Sequence, residues 1–103
     1  MTDKKIIDQI INKILQVVTP DKIILFGSQS RGDAKEDSDY DILIIKDSIE
    51  DHRTMLRNLY KQMIGIEAGV DIILKTSEDL EKSKQRFVSV TKEALNEGII
   101  IYE

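Results

Sequence analysis

FGSQSRGDAKEDSDYDILI, residues 26–44, leaves one apolar run, crosses a polar turn and enters a second apolar run that opens with Asp39 and Asp41. Aspartate is a poor strand residue. Two of them at a strand entry therefore call for a reason other than stability. Side chains two apart on a strand project from one face, so Asp39 and Asp41 converge. Just before the turn, Lys22 to Phe26 reads as a short buried strand, and the second strand runs from about Asp39 to Ile45.

Working outward, Ile6, Ile7, Ile10, Ile11, Ile14, Leu15 and Val18 recur at three- and four-residue spacing. Lys4, Asp8, Gln9, Asn12 and Lys13 fill the other face, which predicts an amphipathic helix ended by Pro20. Downstream, Ser48 with Asp51 resembles a capping box, and Met55, Leu56, Leu59, Tyr60, Met63 and Ile64 form the apolar stripe of a second helix. Gly65 and Gly69 bracket its end. Val70 to Leu74 reads as a third strand. Thr76, Ser77 and Asp79 open a further helical stretch whose later part holds Phe87, Val88, Ala94 and Leu95, with Gly98 as its stop. Ile99 to Tyr102 is a last short strand. No repeat, low-complexity segment or linker divides the chain, so residues 1–103 are expected to form one domain.

The 103 residues are 41% hydrophobic and 33% charged, as in an ordinary globular protein. A chain of this length buries roughly 60–70% of its unfolded surface, so a second copy or a partner would add to a modest core. A net charge of −4 without any basic block argues against a groove for DNA or RNA. The lack of cysteine excludes disulfides and thiolate metal sites and fits a reducing cytosol. MTDKKIIDQIINK lacks the continuous apolar core of a signal peptide, and no run reaches membrane-spanning length; a cytoplasmic protein is expected.

Asp71 interrupts the apolar VDIIL. If that strand lies beside the second, its carboxylate falls within roughly 5 Å of the other two. Three carboxylates on one patch repel one another unless a cation neutralises them, and an all-oxygen set suits Mg²⁺ or Mn²⁺. A pair of Mg²⁺ ions about 3.5–4 Å apart would serve in-line phosphoryl or nucleotidyl transfer. The other reading of Asp71 is the end of a turn after Gly69. Gly27 and Ser28, leaving a strand for a short helical turn, expose N–H groups suited to phosphate oxygens. Gly32 relaxes the loop that returns to Asp39, and Arg31 either pairs with phosphate or braces that loop, with bracing favoured. His52, near a charged helix start, reads as a surface residue. Asp33, Lys35, Glu36 and Asp37 read as a solvated loop, with Lys35 near a triphosphate as the alternative.

Gly27-Ser28 followed at a distance by Asp39-Tyr40-Asp41 resembles the signature of the DNA polymerase β nucleotidyltransferase superfamily. The RG at Arg31 and Gly32, the SD at Ser38 and Asp39, Asp71 and the terminal EGIIIYE are similar to its minimal nucleotidyltransferase (MNT) domains. The resemblance implies an α/β (α+β) fold like the polymerase β palm, with a small mixed sheet, helices mainly on one face and the active site on the exposed rim. It also implies that the GS turn binds the nucleoside triphosphate, and that Asp39, Asp41 and Asp71 hold two metals. The usual partner is a HEPN-domain protein, and many MNT proteins are antitoxins that transfer AMP from ATP to a tyrosine of a HEPN ribonuclease toxin.

The expected reaction is transfer of AMP from Mg²⁺-ATP to an acceptor hydroxyl with loss of pyrophosphate, Asp71 assisting deprotonation of the acceptor. The chain has no room for an acceptor domain, so a homodimer or a hetero-complex is expected. Two alternatives stand beside this reading: an antitoxin or regulatory subunit that binds its HEPN partner without catalysis, and an enzyme that nucleotidylates a small hydroxylated compound.

Overall fold

The computed structural model describes residues 3–32, 34–35, 38–83 and 90–103. The helix expected at the start, α1, spans Lys4–Leu15, with the Asp3 carboxylate accepting from the Lys5 N–H at 2.8 Å as its N-cap. It ends in a tight turn at Gln16 and Val17, ahead of Pro20. Strand β1 is Lys22–Phe26, as expected, and a single helical turn, α2, follows at Ser28–Arg31. Strand β2 is Tyr40–Lys46 and helix α3 is His52–Gln62.

Two details of α3 differ from the sequence reading. Its N-cap is Asp51 itself, which accepts from the Thr54 N–H at 3.1 Å and from the Thr54 hydroxyl at 2.8 Å. Those bonds hold the Asp51 carboxyl below its ordinary pKa, the backbone bond first. Ser48, expected to open a capping box, lies before the cap and donates its N–H to Asp47. Ile64, assigned to the apolar stripe, is 80% exposed, because the helix has already ended and the chain turns at Gly65 with a φ of 100°.

Strand β3 runs Val70–Thr76 and leads directly into α4, Ser77–Ser83. Here a reciprocal cap is present: Thr76 N–H donates to Asp79 at 3.0 Å, and Asp79 N–H donates to the Thr76 hydroxyl at 3.1 Å. Helix α5, Val90–Glu97, and strand β4, Ile99–Tyr102, complete the described elements. Within the stretch expected as one helix, the described residues form α4 and α5; Phe87 and Val88 lie outside the described residues, as do Asp33, Glu36 and Asp37. Gly98 ends α5 as expected, its N–H bonded to the Ala94 carbonyl at 2.8 Å. A Cβ there would overlap the Ile24 side chain and the Ala94 carbonyl oxygen, so only glycine fits.

The four strands form one mixed sheet in the order β3-β2-β1-β4. β1 is antiparallel to β2 and β4, whereas β2 and β3 are parallel, a pairing that needs a crossover, which α3 supplies. Alternation along the strands builds two cores. Ile23, Leu25, Tyr40, Ile42, Ile44, Ile72 and Leu74 pack with Ile10 and Ile14 of α1 and Leu59 of α3. Ile24, Phe26, Leu43 and Ile45 face the other way, against Ala94 of α5, with Leu80 and Leu95 beside them. The larger core therefore lies on the α1–α3 face, and α4 and α5 cover the opposite one. Tyr40 joins α1 to the sheet, its hydroxyl accepting from the Asp3 N–H at 2.9 Å. Among the described residues, no helix is long and apolar enough to cross a membrane.

Candidate active site

The ladder places Phe26 opposite Asp41, and Asp41 opposite Asp71, so one row crosses β1, β2 and β3 where β1 ends and the other two begin. Neighbouring strands lie about 4.8 Å apart, which brings Asp41 and Asp71 side by side on the face that carries α4 and α5. Tyr40, one residue out of phase, points into the core beneath. The alternation explains the Asp-Tyr-Asp order: two polar positions facing outward around one apolar position facing in.

Gly27 continues the row beyond β1. Its φ of 72° and ψ of −156° lie in a region reserved for glycine, and a Cβ would overlap the Asp41 carboxylate. The glycine thus lets the turn close over that carboxylate. Ser28 then starts α2, whose Gly27 carbonyl accepts from Ser30 and Arg31 N–H groups. The first N–H groups of such a turn have no partner within it.

Phe26, Gly27, Ser28, Arg31, Asp41, Tyr60, Asp71, Ile72 and Ile73 line an open pocket of about 600 Å³. Its size is that of a small-molecule site. Five residues singled out from sequence, Gly27, Ser28, Arg31, Asp41 and Asp71, meet here. Arg31 also reaches Glu97 of α5 at 3.3 Å, an ion pair between two exposed side chains. Gly32, in the left-handed region at φ 81°, closes α2 and is not among the residues lining this pocket. Lys35 is exposed, and its N–H donates to the Ser38 hydroxyl at 2.8 Å.

Asp39 stands apart from the pair. It faces the same side as Asp41, but its carboxylate lies over Gly69, where a Cβ would collide with it. Among the described residues, no three carboxylate, histidine or cysteine side chains are grouped closely enough to hold one ion. The expected three-carboxylate patch is therefore a facing pair with a third acid displaced along the strand entry.

Three residues that matter to this geometry escape the sequence reading. Gln29, 4% exposed, donates from its side-chain amide to the Ser38 carbonyl at 3.1 Å and so ties α2 to the entry of β2. No pattern in SQSR marks it. Gly69 reads as a helix stop, whereas it makes room for Asp39 and its carbonyl accepts from the Tyr40 N–H at 2.9 Å. Tyr60 reads as core, whereas it is 40% exposed and lines the pocket. His52 is exposed as expected, and its Nε2 lies 2.8 Å from the Leu74 carbonyl oxygen.

Residues 8–103 match the family described as "Polymerase beta, Nucleotidyltransferase". The chain belongs to this nucleotidyltransferase family. A candidate protein adenylyltransferase of Methanocaldococcus jannaschii is 41% identical over 83 residues, which span 79% of this chain and 77% of that one. Among solved structures, a candidate nucleotidyltransferase from Sulfolobus solfataricus superposes with a TM-score of 0.64 at 20% identity, covering 96% of this chain and 78% of the other. A toxin-antitoxin crystal structure with AMP-PNP superposes with a TM-score of 0.67 at 20% identity, covering 92% and 71%. These two likenesses bear on the fold. The protein is a nucleotidyltransferase enzyme, with a small mixed sheet as expected; its helices cover both faces of that sheet rather than mainly one, because the strands present apolar side chains alternately to either side.

Proposed function

We propose that this nucleotidyltransferase transfers AMP from Mg²⁺-ATP to a protein hydroxyl, and that the acceptor is a tyrosine of a HEPN-domain ribonuclease toxin that it neutralises as an MNT-type antitoxin. The observation that carries this reading is the juxtaposition of the Asp41–Asp71 pair with the Gly27-Ser28 turn on one pocket. The relative named as a candidate protein adenylyltransferase supports a protein acceptor. The toxin-antitoxin neighbour with a bound ATP analogue supports the nucleotide and the biological setting.

Gly27 and Ser28 receive the triphosphate through backbone N–H groups and the serine hydroxyl, with Arg31 as the cation beside them. The acceptor oxygen bonds to the α-phosphorus, the bond from that phosphorus to the bridging oxygen of the β-phosphate breaks, and pyrophosphate leaves. The acceptor's proton passes to the Asp71 carboxylate and on to solvent. Carboxylate oxygens alone make a hard donor set that fits Mg²⁺, or Mn²⁺ in its place. Asp41 and Asp71 would hold such an ion, with Asp39 as the third ligand of a two-ion site. Bound there, the metal supplies charge neutralisation of the triphosphate and acidification of the attacking hydroxyl.

The assembly follows from surface as well as chemistry. Ile99 and Ile100 on β4 are 49% and 47% exposed, apolar area that a partner or second copy would cover. Purified chain, ATP, Mg²⁺ and a HEPN-domain partner should yield a partner heavier by one or more AMP units in intact mass spectrometry. The displaced Asp39 favours a second reading, a binding-only antitoxin. A tight, neutralising complex without mass gain would establish that one instead.

A further inference from the structure

Among the described residues, strand β3 has a sheet neighbour on one side only, β2. Edge strands carry a row of backbone groups that need other partners and open more readily than central ones. Here α3 reaches round to supply them. The Tyr60 hydroxyl accepts from the Ile72 N–H at 2.9 Å and lies 3.5 Å from the Ile72 carbonyl oxygen. Two residues on, His52 Nε2 meets the Leu74 carbonyl at 2.8 Å, which requires the proton on that nitrogen because a carbonyl only accepts. Ile72 immediately follows Asp71, and Tyr60 lines the same pocket as Asp71.

We infer that Tyr60 is a positioning residue for Asp71: its hydroxyl clamps the Ile72 backbone and fixes the strand segment from which the Asp71 carboxylate faces the pocket. The inference rests on the role proposed above for Asp71. His52 grips the same edge further along, so loss of the tyrosine hydroxyl loosens the segment around Asp71 without releasing β3. Tyr60→Phe keeps the aromatic ring at this position of α3 and removes the hydroxyl alone. The chemistry at stake is orientation, since an acid that moves even slightly from its hydrogen-bonding position transfers protons less efficiently.

The test combines Tyr60→Phe, Asp71→Asn and the double variant in transfer assays with ATP, Mg²⁺ and the HEPN partner. Tyr60→Phe alone should lower kcat by about 3- to 10-fold, the range that one hydrogen bond's net worth corresponds to. Its KM for ATP should stay within about twofold, because the triphosphate is held at Gly27 and Ser28. In the Asp71→Asn background the same change should add nothing, since the clamp acts through the missing carboxylate. Parental kcat in Tyr60→Phe, or an equal further loss in the Asp71→Asn background, overturns the inference. Failure of the Asp71 assignment shows separately, as parental transfer by Asp71→Asn alone. Amide exchange reports on the clamp directly and independently of transfer: Ile72 N–H should be protected in the parent and less so in Tyr60→Phe. An Ile72 amide that exchanges in the parent like unprotected backbone removes the clamp, whether or not the variant folds.

Discussion

Asp41 and Asp71 stand opposite one another on the parallel strands β2 and β3, two carboxylates in directly paired positions at the mouth of one pocket. Like charges so placed destabilise a sheet by a few tenths of a kcal/mol to about 1 kcal/mol. Asp71→Asn keeps the side-chain shape and removes one charge. Without metal the variant should melt at the parental temperature or slightly above. With Mg²⁺ and ATP its transfer rate should fall at least about 10²-fold, the lower end of what a positioned acid–base group contributes. Melting with and without Mg²⁺, beside a transfer assay, checks both halves; loss of transfer together with unfolding would mark Asp71 as structural.

The two glycines of the turn should behave differently. Gly27→Ala places a Cβ on the Asp41 carboxylate in a backbone region closed to alanine, at a cost of about 1–3 kcal/mol, and it should abolish detectable ATP binding. Gly32→Ala meets open space and carries only the left-handed penalty, about 1–2 kcal/mol, so ATP binding should be largely retained. Calorimetric titration with ATP distinguishes the pair.

Acid should weaken the start of α4. The Asp79 carboxyl is held below its ordinary value, first by the hydrogen bond from the Thr76 N–H, against a smaller opposing effect of burial. A carboxylate with a depressed pKa in the folded state stabilises it above the unfolded value, and that contribution is lost as pH falls through the folded value. The stability difference between the parent and Asp79→Ala should therefore be full at neutral pH and shrink below about pH 4. Denaturant melts at neutral and acid pH measure it, and a difference independent of pH would show that the cap does not depend on charge.

Gly98→Ala tests the packing of α5 on the sheet. The added methyl meets Ile24 of β1 and the carbonyl oxygens of Ala94 and Leu25. Overpacking of this kind costs about 1–3 kcal/mol, readable as a lower denaturation midpoint with an unchanged slope. Transfer activity per folded molecule should be affected less than by either change on the Asp41–Asp71 row.

Features set by neighbours in the chain were legible without coordinates. The spacing of Ile6, Ile7, Ile10 and Ile14 placed α1, because the helical period acts over three or four residues. The run KIILF marked β1 to the residue, and Asp39-Tyr40-Asp41 announced polar residues at a strand entry. Gly27 belonged to the same class, a turn residue beside its strand. Short-range sterics and periodicity suffice for all of these.

Folding alone decided what meets across the sheet. Parallel pairing through the α3 crossover, not any local signal, set Asp71 opposite Asp41 and Gly69 beside Asp39; a slip of one residue would have turned Asp71 to the other face. The same long-range placement drew Tyr60 and His52, ordinary positions on a helical wheel, onto the free edge of β3. Ile64 was lost from the core because the helix ended at Gln62, and the cap moved from Ser48 to Asp51 because the chain reached its helical φ and ψ only at His52. Periodicity assigns a residue to a face, but the partner on that face comes from another part of the chain, and hydrogen bonds between segments fix which one.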